Sequence, residues 1–151
     1  MKYEVENLEY TNAYRQNIYG VEALAIAPGG EVKFSLATDK PIKRIGIRGS
    51  YHISHGIAEI IVNGAVVGEI DYYRNVSRDE WQWDWIGDIP EAWGYFITIH
   101  DTGRKNTAAT AAYVALDAIS IDDGGSPVWP WLVGFGSLAA IAIGVAVIKK
   151  H

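Results

Sequence analysis

The stretch AEIIVNGAVVGEIDYY, residues 58–73, carries the strongest local structural signal in this sequence. Two apolar runs flank Asn63-Gly64, the residue pair that best tolerates the positive φ angles of a tight two-residue turn. The stretch therefore predicts a β-hairpin, and further strands are expected on both sides of it.

Alternation of apolar and polar side chains extends the strand pattern along the chain. In residues 31–38, apolar Val32, Phe34 and Leu36 alternate with polar side chains, as in a half-buried strand. Further strands are predicted at residues 42–48, 81–86, 95–100 and 113–121, with weaker candidates at 3–10 and 21–26. About eight short strands with regular turn signals predict an all-β fold, a two-sheet antiparallel jelly-roll sandwich over residues 1–123.

The composition limits the classes of function open to the chain. Its 151 residues carry a formal net charge of −5, and two of its 13 basic residues, Lys149 and Lys150, follow the last apolar run. Such an acidic surface repels a phosphate backbone, so nucleic acid is not an expected partner. Cysteine is absent, so the fold has neither disulfides nor thiolate metal sites.

An uncharged stretch near the C-terminus has the length and composition of a membrane anchor. Residues 128–148 contain no charged side chain, and as a helix they would cross the roughly 30 Å hydrocarbon core of a bilayer. Trp129 and Trp131 stand at one end, where indoles favour the interface, and residues 149–151 form a basic tail at the other. We therefore predict a single transmembrane helix at 128–148, joined to the sandwich by a linker at 124–127.

The basic tail sets the predicted orientation of this anchor. Basic flanks stay cytoplasmic, which would place the sandwich outside the membrane, on a cell surface or a virion envelope. Residues 1–10 show no signal peptide, so either a signal has been removed or insertion follows another route. Small residues such as Gly134, Gly136 and Gly144 would let a second helix pack closely, in a homo-oligomer or beside another membrane protein.

Four motifs follow one another in a recognisable order: GIAEIIVNG with GEIDYY (56–73), GYFITIH (94–100), GRKN (103–106) and YVALDAISI (113–121). Together they resemble the galactose-binding-like jelly-roll domains, which include carbohydrate-binding and discoidin-type modules. Those domains share an NG or DG hairpin, a G-x-H-T-I-T-I strand, a G-x-K-N loop and a closing strand with a central Asp. The likeness covers about residues 29–122, and it departs at Phe96, where many members have histidine.

The resemblance implies a fold that is used mainly for binding. Members of the family attach to sugars, phospholipids or other proteins through loops at one end of the sandwich, and some hold a structural calcium ion. Because one fold hosts many ligands as well as scaffolding roles, the function has to be argued from particular residues.

Trp81, Trp83 and Trp85 alternate along one predicted strand and therefore project from the same face of it. We expect this face to be turned toward the opposite sheet, so that the three rings fill the core while Gln82 and Asp84 face solvent. The alternative is an exposed row of indoles that stacks against sugar rings. A buried row would favour a scaffolding role, and an exposed row would favour sugar binding.

Two loops carry further candidates for contact with a ligand. One loop contains aromatic and imidazole side chains beside serines, which would form a binding rim or simply keep an exposed loop soluble; a metal site there lacks a third ligand. The other contains Arg104, a donor to hydroxyls or carboxylates, and Asn106, which either does the same or sets its own turn. The candidates for ligand binding are Tyr51, His52, His55, Trp81, Arg104 and Asn106.

Asp117 lies in an otherwise apolar strand, where a carboxylate needs a partner or solvent. A structural calcium ion is one candidate partner, with Glu4 or Glu6 adding further oxygen ligands. No other cofactor is expected.

Catalytic signatures are missing from the sequence, which has no cysteine nucleophile, no G-x-S-x-G, no H-E-x-x-H and no phosphate-binding glycine loop. We therefore expect no enzymatic activity. The predicted function is a membrane-anchored surface module that binds carbohydrate or a glycosylated surface. The alternative is a structural protein of a virion, an envelope or a membrane complex, in which the sandwich contacts a neighbouring protein.

Overall fold

The computed structural model describes residues 4–37, 40–122, 130–133 and 147–148, with side chains described between Glu9 and Asp122 on either side of the gap. The described residues of the predicted sandwich contain strands and no helix, as predicted; residues 130–133 and 147–148, inside the predicted transmembrane helix, also form strands. The strands are β1 (Glu4–Ile18), β2 (Val21–Ala37), β3 (Arg44–Tyr51), β4 (Ile57–Val62), β5 (Ala65–Asp71), β6 (Glu80–Ile86), β7 (Gly94–Asp101), β8 (Val114–Asp122), β9 (Pro130–Val133) and β10 (Val147–Ile148).

Strand β2 is long enough to belong to two sheets. Its first part pairs with β8, Leu24 lying opposite Leu116, and its last part pairs with β7, Phe34 lying opposite Ile97. One sheet has the order β6-β3-β8-β2 and the other β5-β4-β7-β2, with β1 beside β2 along its length. The strands pair antiparallel in both sheets, which confirms the predicted two-sheet β-sandwich.

A bend in the β1–β2 hairpin carries it from one sheet to the other. Gly29 has a φ of 82° and Asn12 a φ of 49°, and the pairing register shifts beside Asn12. A Cβ atom on Gly30 would lie 2.6 Å from the carbonyl oxygen of Asn12, so this close approach of backbones requires glycine. The sequence predicts two separate strands, at residues 21–26 and 31–38, whereas the structure has one continuous strand, β2, that bends between them.

The hairpin predicted at residues 58–73 is confirmed as β4 and β5. Its turn residues Asn63 and Gly64 have φ angles of 50° and 84°, both in the left-handed region that a type I′ turn needs. The Asn63 side chain also joins the turn to β7, because it donates to the Gly94 carbonyl (3.1 Å) and accepts from the Phe96 N–H (2.8 Å). The asparagine therefore fixes both the turn and the neighbouring strand.

The inner faces of the two sheets share a single core of mostly aliphatic side chains. Tyr72, from the segment after β5, is fully buried in it and lies against Gly49 of β3, where an added Cβ atom would come within 2.5 Å of the tyrosine ring. The largest fully buried side chains are Tyr72, Tyr95, Leu24, Ile26, Leu36, Ile42, Ile45, Ile47, Ile60, Ile97 and Ile99. They hold the strand ends, and hence the loops, in place.

The predicted transmembrane stretch is described only at β9 and β10. Strand β9 pairs antiparallel with β8, Trp131 lying opposite Ile119, and β10 pairs parallel with β9. The rest of residues 128–148 lies outside the described residues, as do the linker and the basic tail. Within the described part of the chain, no helix is long and apolar enough to cross a bilayer, and the anchor stays a prediction.

Candidate functional site

A cleft of about 430 Å³ opens where the β1–β2 hairpin meets the loop between β3 and β4 and the start of β8. Two short parallel bridges, His52 with Tyr73 and His55 with Tyr113, fix that loop beside its neighbours. The volume falls within the range of small-ligand sites. This site, here called the tyrosine cleft, is lined by Tyr14, Gln16, Asn17, Ile18, Tyr19, Ala25, His52, Ser54, His55, Asp79, Tyr113, Val114 and Ala115.

Three tyrosines leave large exposed surfaces at this cleft. Tyr14 is 50% exposed, Tyr19 63% and Tyr113 42%, whereas an aromatic side chain in a sandwich normally turns into the core. The Arg78 guanidinium lies 4.5 Å from the centre of the Tyr19 ring, a cation–π contact that holds both side chains. The cleft thus offers aromatic faces with phenolic hydroxyls.

Its polar floor is a buried group formed by His55, Ser50 and Asp79. The His55 ring places Nδ1 2.7 Å from the Ser50 carbonyl oxygen, so the hydrogen-bond geometry assigns the proton to Nδ1. The Asp79 carboxylate accepts from the Ser50 hydroxyl and lies 3.7 Å from His55 Nε2. Burial lowers the pKa of His55, against the opposing effects of the Ser50 hydrogen bond and the Asp79 charge. The imidazole is therefore neutral at pH 7 and keeps Nε2 as an acceptor.

The second histidine of the cleft is held by its own loop. His52 Nδ1 accepts from the Ser54 N–H at 3.0 Å and lies 2.7 Å from the Ser54 hydroxyl, which leaves Nε2 as the donor of the ring. The two imidazole centres are 5.3 Å apart and tilted by 50°. The cleft therefore contains fixed donors and acceptors beside aromatic surface, a combination suited to hydroxyl-rich ligands.

Ser50, in the floor of the cleft, lacks the geometry of a nucleophile. A serine nucleophile needs its hydroxyl bonded to a base such as histidine, but the Ser50 hydroxyl donates to Asp79 and is fully buried. The group thus serves to orient the floor of the cleft.

The histidines expected in an exposed loop differ from one another. His55 is buried, because it packs under the cleft and bonds to the backbone, so solubility of the loop does not account for it. The sequence interpretation missed Tyr14, Tyr19, Asp79 and Tyr113. The sequence signal for this hairpin tip is the glycine that follows Tyr19. In the structure Tyr19 and Gly20 form a tight turn, with φ angles of 50° and 86°.

The tryptophan row lies on the outer face of the β6 sheet, contrary to our expectation. In the pairing of β6 with β3, Trp81, Trp83 and Trp85 lie opposite Ser50, Arg48 and Gly46. The inner face instead receives Asp84, whose carboxylate accepts from the Tyr51 hydroxyl at 2.6 Å. A buried tyrosine provides this carboxylate with the partner it needs inside, and the indoles are turned outward.

Two arginines of β3 cover the tryptophan row. The Arg44 guanidinium lies 4.2 Å from the centre of the Trp85 ring, and the Arg48 guanidinium lies 5.4 Å from that of Trp81. Each arginine is also paired with a carboxylate of β8, Arg44 with Asp122 and Arg48 with Asp117. We refer to Trp81, Trp83, Trp85, Arg44 and Arg48 as the tryptophan face.

The remaining predicted ligand-binding residues lie apart from one another. Tyr51 is buried and packs edge to face on Tyr72, and burial and its bond to Asp84 raise its pKa. Arg104 is exposed and pairs with Glu69 of β5 at 2.6 Å. Asn106 accepts from the Ala108 N–H at 3.0 Å, which favours its turn-forming role over ligand contact. Of the six candidates, the structure brings together His52 and His55 alone.

The candidate calcium ligands do not form a described cation site. The Asp117 carboxylate is occupied by the Arg48 guanidinium, which takes the place of a cation. Glu4 and Glu6 lie at the start of β1, where side chains are outside the described set. Among the described side chains, no cluster of three or more histidines and carboxylates could hold a metal ion.

Comparison with known proteins gives structural likeness only. No protein-family model and no curated protein sequence matches this chain. Among solved structures, a family 35 carbohydrate-binding module from an environmental isolate is 19% identical with a TM-score of 0.59, covering 87% of this chain and 98% of the module. A family 36 module, solved in complex with calcium and xylotriose, is 17% identical with a TM-score of 0.55, covering 81% of this chain and 100% of the module.

A third similar structure is a much larger enzyme, a xanthan lyase from Paenibacillus. It is 21% identical with a TM-score of 0.57, and the likeness covers 80% of this chain but only 12% of the lyase. The chain is thus similar to one small part of that enzyme, and at these identities the comparisons show the fold alone. The protein has the β-sandwich fold of carbohydrate-binding modules.

Proposed function

We propose that this protein is a non-catalytic module that binds carbohydrate in the tyrosine cleft. The observation that carries the proposal is the meeting of three exposed tyrosines with a buried polar floor in a cleft of about 430 Å³. Sugar rings present apolar C–H faces and many hydroxyls, so they are bound by aromatic faces combined with a few fixed donors and acceptors.

The electrostatics of the cleft favour an uncharged saccharide. Asp79 provides a carboxylate in the floor, and His55 stays neutral at pH 7 because burial lowers its pKa. The chain as a whole is also acidic. An acidic sugar would therefore meet like charge, whereas neutral hydroxyls can donate to Asp79 and to His55 Nε2.

Xylose-based oligosaccharides are the first probes, since a module of the same fold was solved with xylotriose. The test is an array of neutral and acidic glycans, probed with the full chain in the presence of calcium and again with chelator. We expect selective binding to neutral glycans. The Tyr113→Ala and Tyr19→Ala variants should each bind them with an affinity lower by about tenfold or more.

The matched control is Phe96→Ala, which removes an aromatic side chain that is 71% exposed and lies outside the cleft. It should bind as the unmodified protein does. Equal binding by all three variants, or a folded protein that binds no glycan, would overturn the proposal. A requirement for calcium would point to ligands outside the described side chains, because none of the described clusters can hold the ion.

Attachment to a membrane through residues 128–148, with the sandwich outside, remains part of the proposal as a prediction from the sequence. The stretch supports this prediction because it is uncharged, is long enough to span a bilayer and is followed by a basic tail. Alkaline extraction of membranes from expressing cells provides the test, since an integral protein stays in the pellet. Complete release into the supernatant would remove the anchor from the account.

A further inference from the structure

The tryptophan face is the strongest feature of the molecule that the cleft does not use. Its three indoles stand on the outer side of β6; Trp85 is 38% exposed, and Trp81 and Trp83 are half-buried. Tryptophan is the costliest side chain to leave in water, because its large apolar area gains most from burial. The two arginines cover the row only in part, so its outward placement leaves apolar surface that an occupant could bury.

The face is flat around Trp83 and Trp85. A Cβ atom placed on Gly46 would lie 2.8, 2.9 and 3.0 Å from three carbons of the six-membered ring of Trp85. Nearly equal distances show that the ring lies flat over the Gly46 backbone. The Trp83 ring is within 21° of parallel to it, with its centre 6.1 Å away, close to the advance of two strand residues, about 6.6 Å. The rings thus follow one another along β6.

The arginines of the face are held in fixed positions. Arg44 donates to Asp122 through Nε, and Arg48 donates to Asp117 through Nη1, so each guanidinium is anchored on one side and lies over an indole. A guanidinium has five N–H donors, and one is used in each of these bonds. The remaining donors are directed by the pairing, which lowers the entropy lost when they bind a ligand.

Charge decides which class of ligand suits this surface. Each guanidinium is compensated by a carboxylate of β8, so the face has little net charge while the whole chain is acidic. A polyanion would gain little here against the overall repulsion. An uncharged, hydroxyl-rich chain gains both stacking on the indoles and hydrogen bonds from the arginines.

We propose that the tryptophan face is a second binding surface, separate from the tyrosine cleft, for an extended strand of uncharged polysaccharide. The strand would lie along β6, with a sugar ring over Trp83 and hydroxyls accepting from Arg44 and Arg48, whose guanidinium groups lie over Trp85 and Trp81. The proposal extends carbohydrate binding beyond the cleft, and either surface can fail without the other.

The test is depletion of the full chain from solution by insoluble cellulose and insoluble xylan. Trp83→Ala and Trp85→Ala should each weaken this binding by about tenfold. Trp93→Ala is the matched control, because Trp93 is a 63% exposed tryptophan outside the face. Tyr113→Ala should leave binding to the insoluble polymer in place while reducing binding of short soluble oligosaccharides.

Retained binding of soluble oligosaccharides by the Trp83→Ala and Trp85→Ala variants would show that they are folded; should the cleft bind none, near-UV circular dichroism gives the same check. An Arg44→Gln variant, which keeps the indoles, should weaken binding to the polymer less than the tryptophan variants do. The proposal is overturned if the tryptophan variants bind like Trp93→Ala, or if only polygalacturonate is bound. It is also overturned if sedimentation shows the face to be a dimer contact and no polymer binds.

Discussion

Asp101, the last residue of β7, gives the structure an unusual dependence of stability on pH. Its carboxyl is fully buried, Oδ1 accepts from the Gly103 N–H at 3.0 Å, and Oδ2 has no hydrogen-bond partner. Burial raises its pKa from the ordinary 3.8 to about 6, against the lowering effects of the Gly103 bond and of His100. The folded protein therefore holds this proton more tightly than the unfolded chain does.

The sign follows from linkage. Where the folded state binds more protons, the free energy of unfolding falls as pH rises, so Asp101 lowers stability between pH 3.8 and about 6 and costs its full amount above that window. A shift of this size corresponds to at most about 3 kcal/mol. Asp101→Asn removes the charge and should therefore remove this pH-dependent loss of stability. Any change that the buried amide makes to the free energy of unfolding is the same at every pH.

The assay is urea unfolding of both proteins at about pH 4 and about pH 7.5. We expect the stability of Asp101→Asn relative to the unmodified protein to rise by about 2–3 kcal/mol between these two pH values. Asp88→Asn, a substitution at an exposed aspartate, controls for the loss of one negative charge. A stability difference between Asp101→Asn and the unmodified protein that is the same at both pH values would refute the reasoning.

Three further predictions concern stability. Gly49→Ala places a Cβ atom within 2.5 Å of the buried Tyr72 ring, so urea unfolding should show a loss of about 1–3 kcal/mol; an unchanged midpoint would contradict it. Arg48→Met leaves Asp117 without its cation and should cost about 1 kcal/mol, most of which Asp117→Leu should restore in the double variant; no recovery would argue against the pair. Because burial lowers the pKa of His55, protonation favours the unfolded chain, and the contribution of His55 to thermal stability should fall as pH drops below 6.5, opposite in sign to that of Asp101. His55→Gln should flatten that fall, and a parallel pH profile would exclude His55 as its source.

Much of the sandwich could be predicted because period-two patterns and turn signals are local. Asn63-Gly64 fixed the central hairpin, the predicted strands at residues 95–100 and 113–121 match β7 and β8 to within one residue, and the strand predicted from residue 31 agrees with the second part of β2 as far as Ala37. The bend at Gly29-Gly30 was predicted as a break, because a strand that changes sheets through a bulge carries the same residues as one that ends.

The site was harder to predict because the facing of a strand depends on its partners. The alternating tryptophans of β6 fit either face equally well, and the choice was made by Asp84, whose bond to Tyr51 exists only in the folded pair. Similarly, Tyr14 and Tyr113 lie far apart in sequence and meet at the cleft only through the pairing of β2 with β1 and β8. His52 and His55 could be predicted since one short loop holds them both.

The central claim is that carbohydrate binds in the tyrosine cleft, and a two-dimensional NMR titration tests it most directly. The isotope-labelled full chain would be titrated with xylotriose and with the neutral glycan that binds best on the array. The account predicts saturable shifts in the signals of His52, His55 and Tyr113, and none at Phe96 or Asn63. Shifts confined to residues outside the cleft, with the histidine signals unchanged, would contradict it.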